Sequence, residues 1–91
     1  MGTIVLRHKV RDFASWKQQY DEHANARAAA GLINDRVLQI VDDPNDVVVI
    51  FEYQDLQKAR EFTSSPDLKA AMEAAGVVEE PTIFIAQEAT D

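Results

Sequence analysis

Cysteine is absent from this 91-residue chain, so the chain can form neither a disulfide bond nor a thiolate metal site. The length leaves room for one domain, which we predict to span residues 1–91. A domain of this size hides only about 60–65% of its unfolded surface when it folds alone. Because the disulfide route is closed, we expect a partner subunit to supply the missing burial.

Glycine and long apolar runs are also scarce, and each shortage excludes a class of protein. Glycine occurs only at positions 2, 31 and 76, so the chain has no glycine-rich loop that could cradle a phosphate. No apolar run approaches the ~20 residues of a membrane span, and the first residues lack the apolar core of a signal peptide. We therefore expect a cytoplasmic protein with no membrane partner.

Basic residues are outnumbered, and their distribution along the chain is uneven. Residues 1–40 carry six basic and four acidic side chains, whereas residues 41–91 carry three basic and twelve acidic ones. A strongly acidic half repels the phosphate backbone of nucleic acids. We therefore predict no nucleic-acid partner.

Four segments have the composition of β-strands. Residues 3–10 alternate and place Ile4, Leu6, His8 and Val10 on one face. Residues 33–41, 47–53 and a segment within 77–87 are the other candidates, and the Asx residues and proline of 42–46 predict a turn between the second and third strands. The runs 47–51 and 83–85 are apolar without alternation, which indicates burial on both faces of the sheet.

Two helical segments separate these strands. Asp12 is a predicted N-cap of the first helix, and Gly31 is placed to end it in a left-handed conformation. Asp55 is the predicted cap of the second, which restarts at Ser65-Pro66. The order is βαββαβ, which predicts an α+β ferredoxin-like sandwich with a four-stranded antiparallel sheet and helices on one face. We expect a second copy to cover the helix-free face, giving a homodimer.

The sequence also resembles a known family over nearly its whole length. The residues that carry the resemblance are Val10-Arg11-Asp12-Phe13-Ala14-Ser15-Trp16-Lys17, Tyr20-Asp21-Glu22-His23 with Arg27 and Gly31, Asp43-Pro44-Asn45, Phe51-Glu52, Asp55-Leu56 with Ala59-Arg60, and Ser65-Pro66-Asp67-Leu68-Lys69. With these residues the chain resembles the dimeric α+β barrel superfamily, near its antibiotic-biosynthesis-monooxygenase and cyclase-like branches.

The resemblance implies a homodimer in which two four-stranded sheets close into a barrel. It also implies a ligand pocket in each subunit, between the sheet and the helices. Some members of the superfamily oxygenate aromatic or polyketide-like substrates without metal or flavin, and others isomerise, cyclise, degrade haem or have no known activity. A haem-ligand arrangement is not recognisable in this sequence.

His8 is the candidate catalytic residue. It shares a strand face with apolar residues, so we expect it to be at least half buried. A buried histidine can act as a general base or as an orienting hydrogen-bond donor. The alternative is a core histidine whose ring nitrogens bond to the backbone or to water.

Four further residues form a candidate substrate-binding site. Trp16, Tyr20, His23 and Arg27 follow one another at spacings of four, three and four, which places them on one side of a helix. The two rings can stack on a flat ligand, and His23 and Arg27 can stabilise its carboxylate or enolate. The alternative is an aromatic stripe that packs as core, with Arg27 stabilising the helix end.

Metal and cofactor sites are not predicted. His8 and His23 are the only histidines, and two neutral ligands make a poor zinc site. The acidic residues of 42–46 lack the ligand pattern of an EF-hand loop.

Two functional hypotheses follow. The first is a small-molecule enzyme, a cofactor-independent monooxygenase, isomerase or cyclase. It requires a cavity between helix and sheet that is large enough for a bicyclic ligand and has His8 exposed on its wall, and it fails if Trp16 and Tyr20 fill that space. The second is a non-catalytic dimer that senses a ligand or binds a partner.

Overall fold

A computed structural model of the chain describes residues 2–89. Its elements are β1 (Gly2–Lys9), α1 (Phe13–Glu22), α2 (Ala24–Ala29), β2 (Leu32–Ile40), β3 (Asp43–Tyr53), α3 (Leu56–Thr63), α4 (Pro66–Ala74) and β4 (Thr82–Gln87). All neighbouring strands are antiparallel and lie in the order β2-β3-β1-β4. This confirms the predicted ferredoxin-like α+β fold. The single domain 1–91 stays a prediction, and Met1, Thr90 and Asp91 lie outside the described residues.

The central strand β1 separates the core from the opposite face of the sheet. Ile4, Leu6 and His8 point toward the helices and are buried, whereas Arg7 and Lys9 point away and are exposed. The alternation is the one that the sequence predicts, because successive side chains of a strand leave opposite faces of the sheet. His8 therefore enters the same layer as the hydrophobic core.

The turn between β2 and β3 is shorter than predicted. The segment 42–46 was expected to be a turn, but β3 begins at Asp43, which pairs with Ile40. A register shift after Gln39 accommodates the extra residues of β3 as a bulge. The Asn45 side chain accepts a hydrogen bond of 2.9 Å from the backbone N–H of Phe13, so this segment positions the start of α1.

The helix starts lie where the sequence places them. Asp12, Asp55 and Ser65 each accept hydrogen bonds from backbone N–H groups in the first turn of the following helix. Pro66 occupies the first turn of α4, where its missing N–H leaves no helical bond unmade. These caps are local features, which is why the sequence alone predicts them.

The first helical segment is divided at His23, whereas the sequence predicts one continuous helix. The His23 backbone N–H bonds to the carbonyl of Tyr20, three residues back, at 3.2 Å. The His23 ring nitrogen Nδ1 lies 2.8 Å from the carbonyl oxygen of Gln19 and takes the place of the regular helical bond. The chain turns slightly at this point and continues as α2, which ends before Gly31 at the predicted left-handed φ of 78°.

The face of the sheet opposite the helices carries apolar side chains. The strand register places Val5, Val48, Ile50, Leu38 and Phe84 on it. Phe84 is 59% exposed and Leu38 is 37% exposed. None of the helices in residues 2–89 is long and apolar enough to cross a membrane.

Candidate functional site

A cavity of about 450 Å³ lies between the sheet and the helices. Small-molecule sites are typically about 300–1,000 Å³ in volume. All five predicted site residues line this cavity, namely His8, Trp16, Tyr20, His23 and Arg27. The space is thus not filled by Trp16 and Tyr20, which is one of the conditions that the small-molecule hypothesis requires.

His8 forms part of the sheet wall of the cavity but is only 5% exposed, and both of its ring nitrogens are buried, so His8 is not exposed on the wall as the small-molecule hypothesis requires. Neither of its ring nitrogens has a hydrogen-bond partner among residues 2–89. Burial lowers the pKa of His8 from 6.5 to about 4, and the Asp46 carboxylate opposes that shift only in part. His8 is therefore a neutral imidazole at pH 7, with one donor and one acceptor that the surrounding side chains leave unused.

Three aromatic rings run from His8 toward the cavity mouth. The Trp16 ring meets the His8 ring edge-on, with centroids 5.3 Å apart and planes at 77°. The Tyr20 ring stacks on Trp16 at 5.0 Å and 25°. These distances are those of favourable aromatic pairs, one edge-to-face and one stacked, so the contacts stabilise this part of the wall.

Arg27 covers the outer end of this row. Its guanidinium lies 3.6 Å from the Tyr20 ring centroid, and its Nη1 donates a 2.7 Å hydrogen bond to the Tyr20 carbonyl. The Nη2 atom is 4.0 Å from Oδ2 of Asp35 on β2, and the Tyr20 hydroxyl donates to the same oxygen. The predicted role of Arg27 in binding an anion stays a prediction, and its charge already has a carboxylate beside it.

His23 lies at the cavity rim and is exposed. Its ring contacts the Gln19 carbonyl, which ties it to the break between α1 and α2. Its role in binding an enolate also stays a prediction. In addition to that predicted role, His23 has a structural contact, the one between its ring and the Gln19 carbonyl.

The remaining wall comes from the second helical pair. Phe62 of α3 and four residues of α4 line the cavity: Leu68, Ala71, Met72 and Ala75. No residue of α4 is fully buried, and Met72 is the residue of this helix that packs against the core. The helical spacing of these α4 residues predicts an inward face from the sequence. No feature of the local sequence indicates that this face borders open space.

Asp35 is the functional candidate that the sequence did not indicate. It lies within a strand and was not distinguished there from the other exposed carboxylates. Its contact with Tyr20 depends on an irregularity of β2 that has no composition signal. Among residues 2–89, no cluster of three or more histidine or acidic side chains is placed to hold a metal ion.

Comparison with known proteins places these features in a family context. The family model described as antibiotic biosynthesis monooxygenase matches residues 6–74. SnoaB, a cofactor-independent oxygenase from Streptomyces nogalater, is 23% identical with a TM-score of 0.71, over 97% of this chain and 94% of that one. No curated protein matches the chain.

Other solved structures share the fold at lower identity. An antibiotic biosynthesis monooxygenase superposes with a TM-score of 0.75 at 12% identity, over 99% of this chain and 100% of that chain. A conserved protein from Methanosarcina mazei Go1 gives a TM-score of 0.75 at 15% identity, over 97% and 92% of the two chains. At these identities the likeness shows the fold alone.

Proposed function

The chain belongs to the antibiotic biosynthesis monooxygenase family, and we propose that its cavity binds a flat aromatic or polyketide-like molecule and oxygenates it without metal or flavin. The observation that carries the proposal is His8, a buried imidazole in the cavity wall whose two nitrogens have no partner among the described residues. Buried polar groups are nearly always hydrogen-bonded, so such an exception needs an explanation. A ligand hydroxyl or carbonyl that bonds to His8 supplies one.

The lining of the cavity supports an apolar, aromatic ligand. Trp16 and Tyr20 border the space together with Val49, Phe51 and Met72. Because Trp16 and the Arg27 guanidinium cover the two faces of the Tyr20 ring, a ligand meets that ring at its edge, and edge-to-face contacts between aromatic rings are favourable. The few polar atoms of the ligand are left to the polar groups of the wall. His8 is the polar group nearest the sheet.

The reaction that this environment supports begins with proton removal. His8 accepts a proton from a carbon acidified by a neighbouring carbonyl and ring, and the resulting carbanion transfers an electron to dioxygen. Recombination of the radical pair, with return of the proton, gives a hydroperoxide, which loses water to leave a ketone. The sum is R₂CH₂ + O₂ → R₂C=O + H₂O, with dioxygen as oxidant and no other reductant.

The low pKa of His8 is compatible with this role only if the product anion stays close. An imidazole of pKa about 4 is a weak base in the empty cavity. An enolate beside it stabilises the imidazolium and raises its pKa, because an opposite charge within ~4–6 Å favours the charged form. Since Trp16 packs edge-on against His8, contact with the ligand also requires a small rotation of one of these rings.

Anthrone, a tricyclic ketone with an acidified CH₂ group, is a suitable test substrate. Oxygen uptake and quinone absorbance are measured for the wild type, for His8→Gln and for Asp21→Asn, a control at an exposed residue of α1 that does not line the cavity. We expect the wild type and Asp21→Asn to accelerate oxygen uptake. His8→Gln should bind anthrone but react about 100-fold more slowly, the lower end of general-base effects.

Two outcomes would overturn this proposal. Equal rates for His8→Gln and the wild type would remove His8 from the chemistry. Binding of anthrone by the wild type without any oxygen uptake would refute the oxygenase and support the non-catalytic ligand-binding hypothesis.

We also propose that two copies pair through the helix-free face of the sheet. The support is the exposed apolar group around Phe84 and Leu38, bordered by residues of both charge signs, Arg7 and Arg36 against Glu52. An isologous contact can match each charge with its opposite on the partner. Light scattering at micromolar concentration should give twice the mass of one chain.

Phe84→Asp should reduce that mass to one chain, because it replaces an exposed large apolar side chain of this face with a charge. The control is Val41→Asp, at a valine that is 96% exposed in the β2–β3 turn and away from this face. A monomeric wild type, or a dimer that survives Phe84→Asp, would refute this pairing.

A further inference from the structure

Asp35 lies at a break in the regular pairing of the edge strand β2. Ile33 pairs with Glu52 and Arg36 pairs with Ile50, so Asn34 and Asp35 together face a single residue of β3. Asn34 has a positive φ of 54°, a conformation that asparagine tolerates better than most residues. This is the geometry of a β-bulge, and bulges commonly redirect a side chain next to a functional site.

The bulge sends its two polar side chains to different partners. Asn34 donates a 2.7 Å hydrogen bond to Glu52, whose strand position faces away from the helices. Asp35 turns toward the helices and accepts a hydrogen bond from the Tyr20 hydroxyl. In a regular strand, without an inserted residue, successive side chains would simply alternate between the two faces of the sheet. The contact between β2 and α1 therefore depends on the residue that the bulge inserts.

The Asp35 carboxylate contacts two cavity residues at once but does not itself line the cavity. Its Oδ2 receives the Tyr20 hydroxyl and lies 4.0 Å from Nη2 of Arg27. The Tyr20 ring is thereby held between Trp16 on one face and the Arg27 guanidinium on the other. The groups on the two faces fix the plane of the ring, whereas the bond from its hydroxyl to Asp35 fixes where the outer end of the ring lies.

We propose that Asp35 is a positioning residue of the cavity, which sets the orientation of the Tyr20 ring and so the width of the slot that receives a flat ligand. The proposal rests on the proposed function in that it assumes a ligand in this cavity. It adds a residue that never touches the ligand. It also assigns a direction to Tyr20, whose hydroxyl is turned to Asp35 and whose two faces are covered by Trp16 and Arg27, so that a ring edge is what borders the cavity.

This arrangement makes the outer part of the cavity select against polar ring substituents. The Tyr20 hydroxyl already donates a hydrogen bond to Asp35. Burial, and to a smaller extent this hydrogen bond, raises the pKa of Tyr20, so the hydroxyl stays protonated. Arg27 has Asp35 and the Tyr20 carbonyl as partners. A neutral, apolar ring system is therefore the ligand surface that this wall accommodates without leaving a polar group unpaired.

The neutral fluorescent compound N-phenyl-1-naphthylamine is the binding probe, titrated against the wild type and against Asp35→Ala, Asp35→Asn and Tyr20→Phe. We expect Asp35→Ala to weaken binding by about five- to tenfold, the scale of losing one typical hydrogen bond. Asp35→Asn keeps an acceptor for the Tyr20 hydroxyl and should stay within about twofold of the wild type. Asp21→Ala, which removes an exposed carboxylate from α1, is the matched control and should change nothing.

A double-mutant cycle separates positioning from a general effect on stability. If Asp35 acts through the Tyr20 hydroxyl, Asp35→Ala should weaken binding by less than about twofold in the Tyr20→Phe background. Fully additive losses in the double variant would refute the proposal. So would an Asp35→Ala variant that melts at a lower temperature but binds the probe with wild-type affinity.

A measurement without ligand keeps this test independent of the proposed function. The ring-proton chemical shifts of Tyr20, measured by NMR with labelled tyrosine, depend on where the ring lies over Trp16; they should change in Asp35→Ala and stay in Asp35→Asn, and unchanged shifts in Asp35→Ala would refute the positioning role. Ala71→Trp, which places an indole ring at the cavity wall, should weaken probe binding. Probe binding that is unchanged in Ala71→Trp, or that is absent from the wild type, would count against the ligand cavity and not against Asp35.

Discussion

Protonation of His8 provides the sharpest test of how the cavity wall is built. The imidazole is 5% exposed and packs against Trp16, and burial lowers its pKa from 6.5 to about 4. In the unfolded chain the same group regains its ordinary pKa. As pH falls, the unfolded state therefore takes up a proton before the folded state does.

The sign and size of the effect follow from this difference. The stability contributed by a neutral His8 is complete above pH 6.5 and is lost as the pH falls toward 4. Linkage over this window gives a loss of about 2 kcal/mol between pH 6.5 and about 4.5. The carboxylates of Asp12 and Asp46, whose pKa values are lowered by their hydrogen bonds to Ser15 and Arg7, lose their contribution only below pH 3.8.

Urea unfolding at fixed protein concentration measures this loss. Far-UV circular dichroism is the signal of choice, because the fluorescence of Trp16, the only tryptophan, responds directly to the charge on the neighbouring ring. The urea midpoint of the wild type should fall by about 1–2 M over the window. His8→Gln should remove most of that fall, whereas His23→Gln, at the exposed histidine, should retain it.

Parallel curves for the wild type and His8→Gln between pH 6.5 and 4.5 would refute the reasoning. They would mean that the folded state accommodates an imidazolium at this position as easily as water does. The cavity would then be wetter at His8 than its burial indicates, and the description of His8 as an unpartnered neutral base would fail with it.

Two further changes test the packing that frames the cavity. Gly2→Ala should lower the free energy of unfolding in urea by about 2–3 kcal/mol, since a Cβ would lie 2.2 Å from Cζ of the Tyr53 ring. The control is Gly31→Ala, which has a φ of 78° but open space around it and should cost only about 1–2 kcal/mol. Equal costs for the two variants would contradict the close contact at Gly2. Asp55→Ala should cost about 1 kcal/mol by removing the N-cap of α3, whereas Asp55→Asn should keep the cap, and a neutral alanine variant would contradict that assignment.

The fold is largely predictable because its signals are local. A strand face is determined by alternation, and the starts of the helices are determined by one side chain each, as at Asp12 and Ser65. The errors occur where a distant partner decides. Asn45 lies in a segment of turn-forming residues, but its bond to Phe13 draws that segment into β3.

The candidate site, like the fold, is predictable from the sequence only in part. The position of His8 on the core face and the common side of Trp16, Tyr20, His23 and Arg27 follow from the periods of a strand and a helix. The open space between them does not, because a volume depends on how far α4 stands from the sheet. Asp35 was missed for a related reason, since a bulge in β2 directs it toward Tyr20.

The sequence by itself determined which elements form, which faces are apolar, and which side chains enter the layer between sheet and helices. The expectation that a partner subunit supplies the burial missing from a chain without cysteine follows from composition and stays a prediction. Only the tertiary structure decided that this layer contains a cavity, that His8 borders it without a hydrogen-bond partner among the described residues, and that Asp35 accepts a hydrogen bond from the Tyr20 hydroxyl. Periodicity reports the direction of a side chain, whereas distances between elements arise from the packing of residues far apart in the chain.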